Sequence, residues 1–220
     1  RRVLFRSWVK VAVDLCQFDG RTLLVMIDYY SNYIEVESLS TSTSASVIRS
    51  MQILFARWGI PTRVVSDNGP QFDSAEFAKF SESWDFIHVT SSPHFPRSNG
   101  LVERAVGIVK ELFVKCKEAR ISEAEAMLDH RNTPNASGLS PAQMMMGRRC
   151  RTHLFTRREL LLTSNNHQSA AHEKHLLSKE KSRQYYNQHA MRHRNDFNHG
   201  QHIVTRTPGQ QIWKPGTIVE

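Results

Sequence analysis

Three carboxylates, on three different stretches of the chain, are the residues best suited to chemistry. Asp14 interrupts the alternating, valine-rich run WVKVAVDLCQF (8–18), where one flank or the other should be core. A charge in such a place is costly unless it is paired or bound to metal. Asp67 ends RVVS and opens DNGPQF, and taken alone it is an ordinary Asp-Asn-Gly turn residue. Glu103 follows the proline- and glycine-punctuated stretch SSPHFPRSNGLVERAV (91–106), at a helix start where the dipole favours an acid in any case. Each has an explanation of its own. Brought to one point, they would be hard oxygen ligands with open positions, the arrangement that holds one or two Mg²⁺ or Mn²⁺ ions and leaves room for substrate phosphates. The chemistry would be phosphoryl transfer.

The surrounding elements must bring them together. The run 8–18 reads as a strand, Asp19-Gly20 as a hairpin turn, and RTLLVMIDYY (21–30) and YIEVES (33–38) as two more strands of a meander. TSASVIRSMQILFARW (43–58) places Val47, Ile48, Met51, Leu54, Phe55 and Trp58 on one helical face. A short strand over 62–66, a helix over 74–84 and a strand over 85–91 follow. In this β-β-β-α-β-α-β order the fourth strand can pair beside the first by a right-handed crossover, which makes Asp14 and Asp67 neighbours. A long helix from about 99 to 117, with Leu101, Ala105, Ile108, Leu112 and Phe113 in phase, can cross the sheet and deliver Glu103. A second helix, 121–130, stops before Asn132-Thr133-Pro134, and SPAQMMMG (140–147) reads as a short proline-started helix closed by glycine.

Charge is unevenly placed. Of the formal net +8, residues 1–146 contribute nothing, whereas 147–220 hold thirteen Lys/Arg against five Asp/Glu. Such a tail fits a nucleic-acid partner, and equally a solvated helix face. The stretch 148–155 is basic and irregular, 163–171 a linker, 172–188 a polar helix, and 201–220 returns to strand alternation. Three widely spaced cysteines, Cys16, Cys116 and Cys150, argue against a disulfide framework and for a reducing compartment. No apolar run is long enough for a membrane span. The start at RRVLFRSW and the end in mid-strand at IVE read as those of a fragment.

Several of these stretches carry a resemblance. VDL around Asp14, IDYYSNYIEV (27–36), FARWGIPTRVVSDNGPQF (55–72), TSSPHFPRSNGLVERAV (90–106), HRNTP (130–134) and GLSPAQMMMGRR (138–149) resemble the integrase of gypsy-type LTR retrotransposons, relatives of retroviral integrases. That family carries an Asp-Asp-Glu triad whose last two members are typically separated by 35 residues, and 35 residues stand between Asp67 and Glu103. The resemblance implies an α/β, RNase H-like core (a five-stranded mixed sheet flanked by helices) over 1–150. A basic helical linker over 151–195 and the start of a truncated SH3-like DNA-binding barrel over 196–220 would follow.

It further implies that Asp14, Asp67 and Glu103 bind two divalent cations, Mg²⁺ or Mn²⁺, for trimming the 3′ end of the element's DNA and joining it to target DNA. The partners would be double-stranded element ends and target DNA, with a homo-oligomer assembled on them and no membrane. The site of action would be nuclear, after a cytoplasmic particle. Lys110, two helical turns beyond Glu103, resembles the family's basic contact to the DNA end, although a solvated lysine reads as well. Asn99 and Gly100 fit an active-site loop, and Arg97 and Arg104 join Lys110 as candidate phosphate contacts.

The sequence also departs from the family pattern. Arg97 stands where Gln is usual, Gly107 interrupts the helix, and His130 replaces Tyr. The His-His-Cys-Cys zinc module that normally precedes the core is absent, and His172 and His175 read as surface residues. Two other readings follow from the same residues: an integrase-derived host protein that binds DNA or chromatin without integrating, and an RNase H-like nuclease acting on RNA–DNA hybrids.

Overall fold

The computed structural model describes residues 7–90, 100–135, 138–153, 155 and 157–161, together with 177, 180, 181, 184, 185, 202–205 and 214–217. The chain divides into two compact units, Arg1–Leu176 and Leu177–Glu220.

In the first unit five strands form one mixed sheet: β1 (Lys10–Phe18), β2 (Arg21–Asp28), β3 (Ile34–Leu39), β4 (Arg63–Ser66) and β5 (Ile87–Thr90), in the order β3-β2-β1-β4-β5. Antiparallel pairing joins the first three. Asp19 and Gly20, at φ 53° and 73°, supply the left-handed backbone that a two-residue hairpin requires. The β2–β3 turn is built around the fully buried Asp28, whose carboxylate accepts from Trp8 N, Ser31 N and Ser31 Oγ. The motif IDYYSNY is thus a turn device.

Two helices, α1 (Ser44–Trp58) and α2 (Ala75–Ser83), cover one face of the sheet, each capped by the preceding hydroxyl, Thr43 or Ser74. Val47, Met51, Leu54 and Phe55 of α1 are buried with Val11, Val13, Leu24, Met26 and Val64 beneath them. Phe80 of α2 and Phe86 lie 5.9 and 5.6 Å from Phe55 between ring centroids, and Phe77 of α2 meets Phe86 edge-on at 6.3 Å. Each such side chain contributes about 1.5–3 kcal/mol by leaving water.

The opposite face carries α3 (Gly100–Ala119), with α4 (Glu123–Asn132) packed against it and α5 (Pro141–Met146) beyond. The buried row of α3 differs in part from the one its periodicity predicts. Val102, Ala105, Val109, Phe113 and Cys116 are the buried residues of α3, whereas Leu101, Ile108 and Leu112 are half-buried at the rim. The helix runs unbroken through Gly107, which is exposed and where a Cβ would meet nothing within 4 Å. A further turn of helix, α6 (Arg158–Leu161), lies within the stretch 151–195 expected to be a helical linker.

A buried polar cluster fastens α4 to the sheet edge. Glu35, 3% exposed, accepts from Trp58 Nε1 at 2.6 Å and pairs with Arg131 at 2.7 Å, while Arg131 Nε also donates to Ile34 O. Asn132 then clamps the backbone of Cys150 from both sides, donating to its carbonyl and accepting from its N–H. In the second unit β6 (His202–Thr205) and β7 (Lys214–Thr217) pair antiparallel. His172 and His175 lie outside the described residues. Among those described, no helix is long and apolar enough to cross a membrane.

Candidate metal and DNA site

The parallel ladder between β1 and β4 sets the first two carboxylates. Lys10, Val11 and Ala12 pair with Arg63, Val64 and Val65. Continued by two residues, the same register puts Asp14 level with Asp67, just past the end of β4. Alternation then points both toward the face that carries α3, since Ala12 and Val65 on that face lie in the core beneath the helix. Val102, Ala105 and Val109 seat α3 on this core, so the first helical turn, with Glu103, sits over the same end.

Each aspartate is oriented locally. Asp14 Oδ1 accepts from Leu15 N at 2.8 Å. Asp67 Oδ1 accepts from Gly69 N at 3.1 Å, an Asx turn, and its carbonyl accepts from Ser66 Oγ at 2.7 Å. The Ser66 hydroxyl is fully buried and also lies 2.9 Å from His88 Nε2, so a side chain on the next strand steadies the turn. Burial holds the His88 imidazole below its ordinary pKa.

A side chain at Gly69 would crowd its neighbours. A Cβ there would stand 3.1 Å from both Asp67 Oδ1 and Gln71 Oε1. Gly69→Ala should therefore displace the Asp67 carboxylate by a few tenths of an ångström and lower turnover by roughly tenfold, since sub-ångström misplacement is expensive in catalysis. A turnover measurement beside a thermal melt checks this, with the melt expected to move little. Nothing in the sequence singles out Gly69, Ser66 or His88. The Asp-Asn-Gly pattern marked a turn, but nothing in it marked the tight approach.

The carboxylates act on one another. The Asp14 carboxyl is held above the usual range, mainly by burial and further by the negative charges of Asp67 and Glu103, against the Leu15 hydrogen bond and the Lys110 ammonium. Lys110 acts likewise on the neighbouring Cys16 thiol, which burial pushes up. Lys110, half-buried on α3, is thus on the carboxylate side of the helix. Glu103 and Arg104 are exposed, and Gly100 opens α3 with open space where a Cβ would be. Arg97 and Asn99 lie outside the described residues.

The donor set, three carboxylates with the Lys110 ammonium acting on the first of them, fits Mg²⁺ or Mn²⁺ in kind. Among the described residues, however, no three His, Cys, Asp or Glu side chains already stand close enough to hold one ion. A cavity of about 330 Å³ lies elsewhere, between β3 and α4, lined in part by Glu35, Phe113, Met127 and Arg131, with none of the three carboxylates in its wall.

A five-stranded mixed sheet in the order β3-β2-β1-β4-β5, flanked by helices on both faces, places the unit in the RNase H-like class. Within that class, residues 8–96 match the model of the integrase core domain family. The Caenorhabditis elegans uncharacterized protein K02A2.6 is 32% identical over 152 residues, 66% of this chain and 12% of that protein. The Gag-Pol polyprotein of Walleye dermal sarcoma virus is 29% identical over 147 residues, 64% of this chain and 8% of the polyprotein. The chain therefore spans only a small part of the curated relatives it matches.

Solved structures agree on the fold. The simian T-cell lymphotropic virus intasome, determined in complex with PP2A regulatory subunit B56 gamma, matches with a TM-score of 0.60 at 25% identity, over 72% of this chain and 61% of that one. The HTLV-2 integrase catalytic core domain in complex with magnesium, in a trimeric form, matches with a TM-score of 0.53 at 26% identity, over 64% of this chain and 97% of that one. A related core has thus been solved with a divalent metal, consistent with divalent-metal use by this kind of core.

Proposed function

We propose that this chain is the catalytic core of a gypsy-type retroelement integrase, with Asp14, Asp67 and Glu103 as the ligands of Mg²⁺ or Mn²⁺. The observation that carries the reading is the β1–β4 register, which sets Asp14 level with Asp67 on the face where α3, the helix bearing Glu103, is seated. When bound, the metal supplies charge neutralisation at phosphate and a more acidic attacking oxygen. The chain itself holds the two aspartates in register, keeps the Asp67 turn rigid through Gly69 and Ser66, and sets Glu103 on a helix anchored in the core. No side chain is needed as a nucleophile, because positioning and charge suffice for in-line displacement at phosphorus.

The substrates are the 3′ ends of element DNA and a duplex target. Lys110, Arg104, Arg97, Asn99 and Gly100 are the contacts to them, and copies of the chain assemble on paired ends. The basic stretch 151–195 links the core to a DNA-binding module beginning at 196, and the reaction takes place in the nucleus.

A labelled DNA end incubated with the chain, or with the longer protein that contains it, tests this directly. Joined products are expected with Mg²⁺ or Mn²⁺ and none with a chelator. Duplex binding without joining under any metal would favour the DNA-binding host protein instead. That alternative draws on the sequence departures, but Gly107 is a bare, uncrowded position of the helix, and burial lowers the His130 imidazole in a packing role.

A further inference from the structure

The two strands that carry the aspartates also carry a pair of cations four residues upstream. Lys10 pairs with Arg63 across the parallel ladder. By alternation both share a face with Ala12, Val65, Asp14 and Asp67. Lys10 Nζ sits 3.9 Å over the Tyr29 ring, which holds the ammonium on this face. Among the described residues, no carboxylate pairs with either cation.

Such a pair works against the fold. Like charges directly opposite on neighbouring strands are destabilising, and a half-buried ammonium adds desolvation to the repulsion. Burial and the Arg63 charge both depress the Lys10 pKa. A structural role for two cations in this register would call for an acidic partner, as Glu35 provides for Arg131 on the other edge. The face is also open here. Ile87, opposite Arg63 on the edge strand β5, is 53% exposed, and Val89 is 37% exposed, so an extended ligand has access from the edge.

The geometry points to a phosphate-binding step at Lys10 and Arg63 that grips the DNA backbone upstream of the carboxylates; it rests on reading those carboxylates as the reaction centre. Four residues of strand separate the two sites, about 13 Å at 3.3 Å per residue. That is roughly four axial phosphate steps of a DNA strand at 3.4 Å each. A contact of this kind fixes where the strand lies on the sheet without reading its sequence.

The test is the binding of a short labelled duplex to the full chain, without divalent metal, across a range of monovalent salt. Lys10→Gln and Arg63→Gln should each lower the slope of log affinity against log salt by about 0.9, and the double variant by about twice that. Unrelated duplexes should lose equally, and Lys10→Arg and Arg63→Lys should keep the wild-type slope. Arg63→Gln should melt at or above the wild-type temperature, since it removes the repulsion, and Lys10→Gln close to it, since it also gives up the Tyr29 ring contact; a cooperative melt in each separates lost contacts from lost folding.

An unchanged slope in a folded double variant overturns the proposal, and does so alone if the wild type still joins DNA ends. A reduced slope in a chain that never joins ends supports the phosphate contact and overturns the assignment of the carboxylates.

Discussion

Asp14→Asn, Asp67→Asn and Glu103→Gln are each expected to reduce strand transfer by at least about 10²–10³-fold, the scale of losing one charge-stabilising group in a reaction centre. The three should differ in stability. Asp14 is a carboxylate whose pKa lies above its ordinary value in the fold, so the folded chain binds that proton more readily than the unfolded one. The cost of its charge is therefore present at neutral pH and is relieved as pH falls through the raised pKa toward the ordinary range. Asparagine removes that cost while its Oδ1 can still accept from Leu15 N. In the absence of divalent metal, Asp14→Asn should melt at or slightly above the wild-type temperature while being inactive. A lowered melting temperature accompanying the lost activity would mean that Asp14 is a structural residue. Divalent metal should raise the melting temperature of the wild type and not of these variants, because only an intact site gains from binding.

Arg131→Met should cost about 3–5 kcal/mol of stability, the effect of leaving a buried carboxylate without its partner. Glu35 is 3% exposed and depends on Arg131 for its closest cation, since Arg57 stands at 3.4 Å. The same substitution removes the cation over the Tyr33 ring and the hydrogen bond to Ile34 O. Urea unfolding measures the loss. Adding Glu35→Gln should recover a substantial part of it, because the uncompensated charge is then gone. A loss below about 1 kcal/mol would mean that water, not Arg131, satisfies Glu35. The HRNTP motif thus owes its Arg and Asn to the joint between α4, the sheet edge and Cys150.

The sheet was legible because alternation, the Asp-Gly turn and the crossover rule all restrict the same few strands. Asp14 was legible for a related reason, being a charge where a strand should be apolar. The phase of α3 was not. Leu101, Ile108 and Leu112 repeat with the same period as Val102, Val109 and Phe113, one residue out of step, and only contact with Ala12, Val25 and Val65 decides which row is buried. Both rows are apolar, so periodicity alone does not choose between them, whereas the sheet beneath α3 takes the row with Val102, Ala105, Val109 and Phe113. The four residues of α6 are too few for any period to register. The Glu35–Arg131 pair spans 96 residues of chain, and its meaning depends on burial that neither residue announces. Lys10 and Arg63 become a pair only once the parallel register is known.

That register has a consequence for how the chain matures. The meander β1–β2–β3 closes through neighbouring segments and can form early. By contrast, β4 reaches β1 only after the α1 crossover, and it is held there by three residue pairs. Until it arrives, one side of β1 presents the unpaired backbone of Lys10 to Ala12, an open template for another strand. Docking of β4 covers that edge and in the same movement brings Asp67 level with Asp14, so the strand that shields β1 is also the one that joins the first two of the proposed metal ligands.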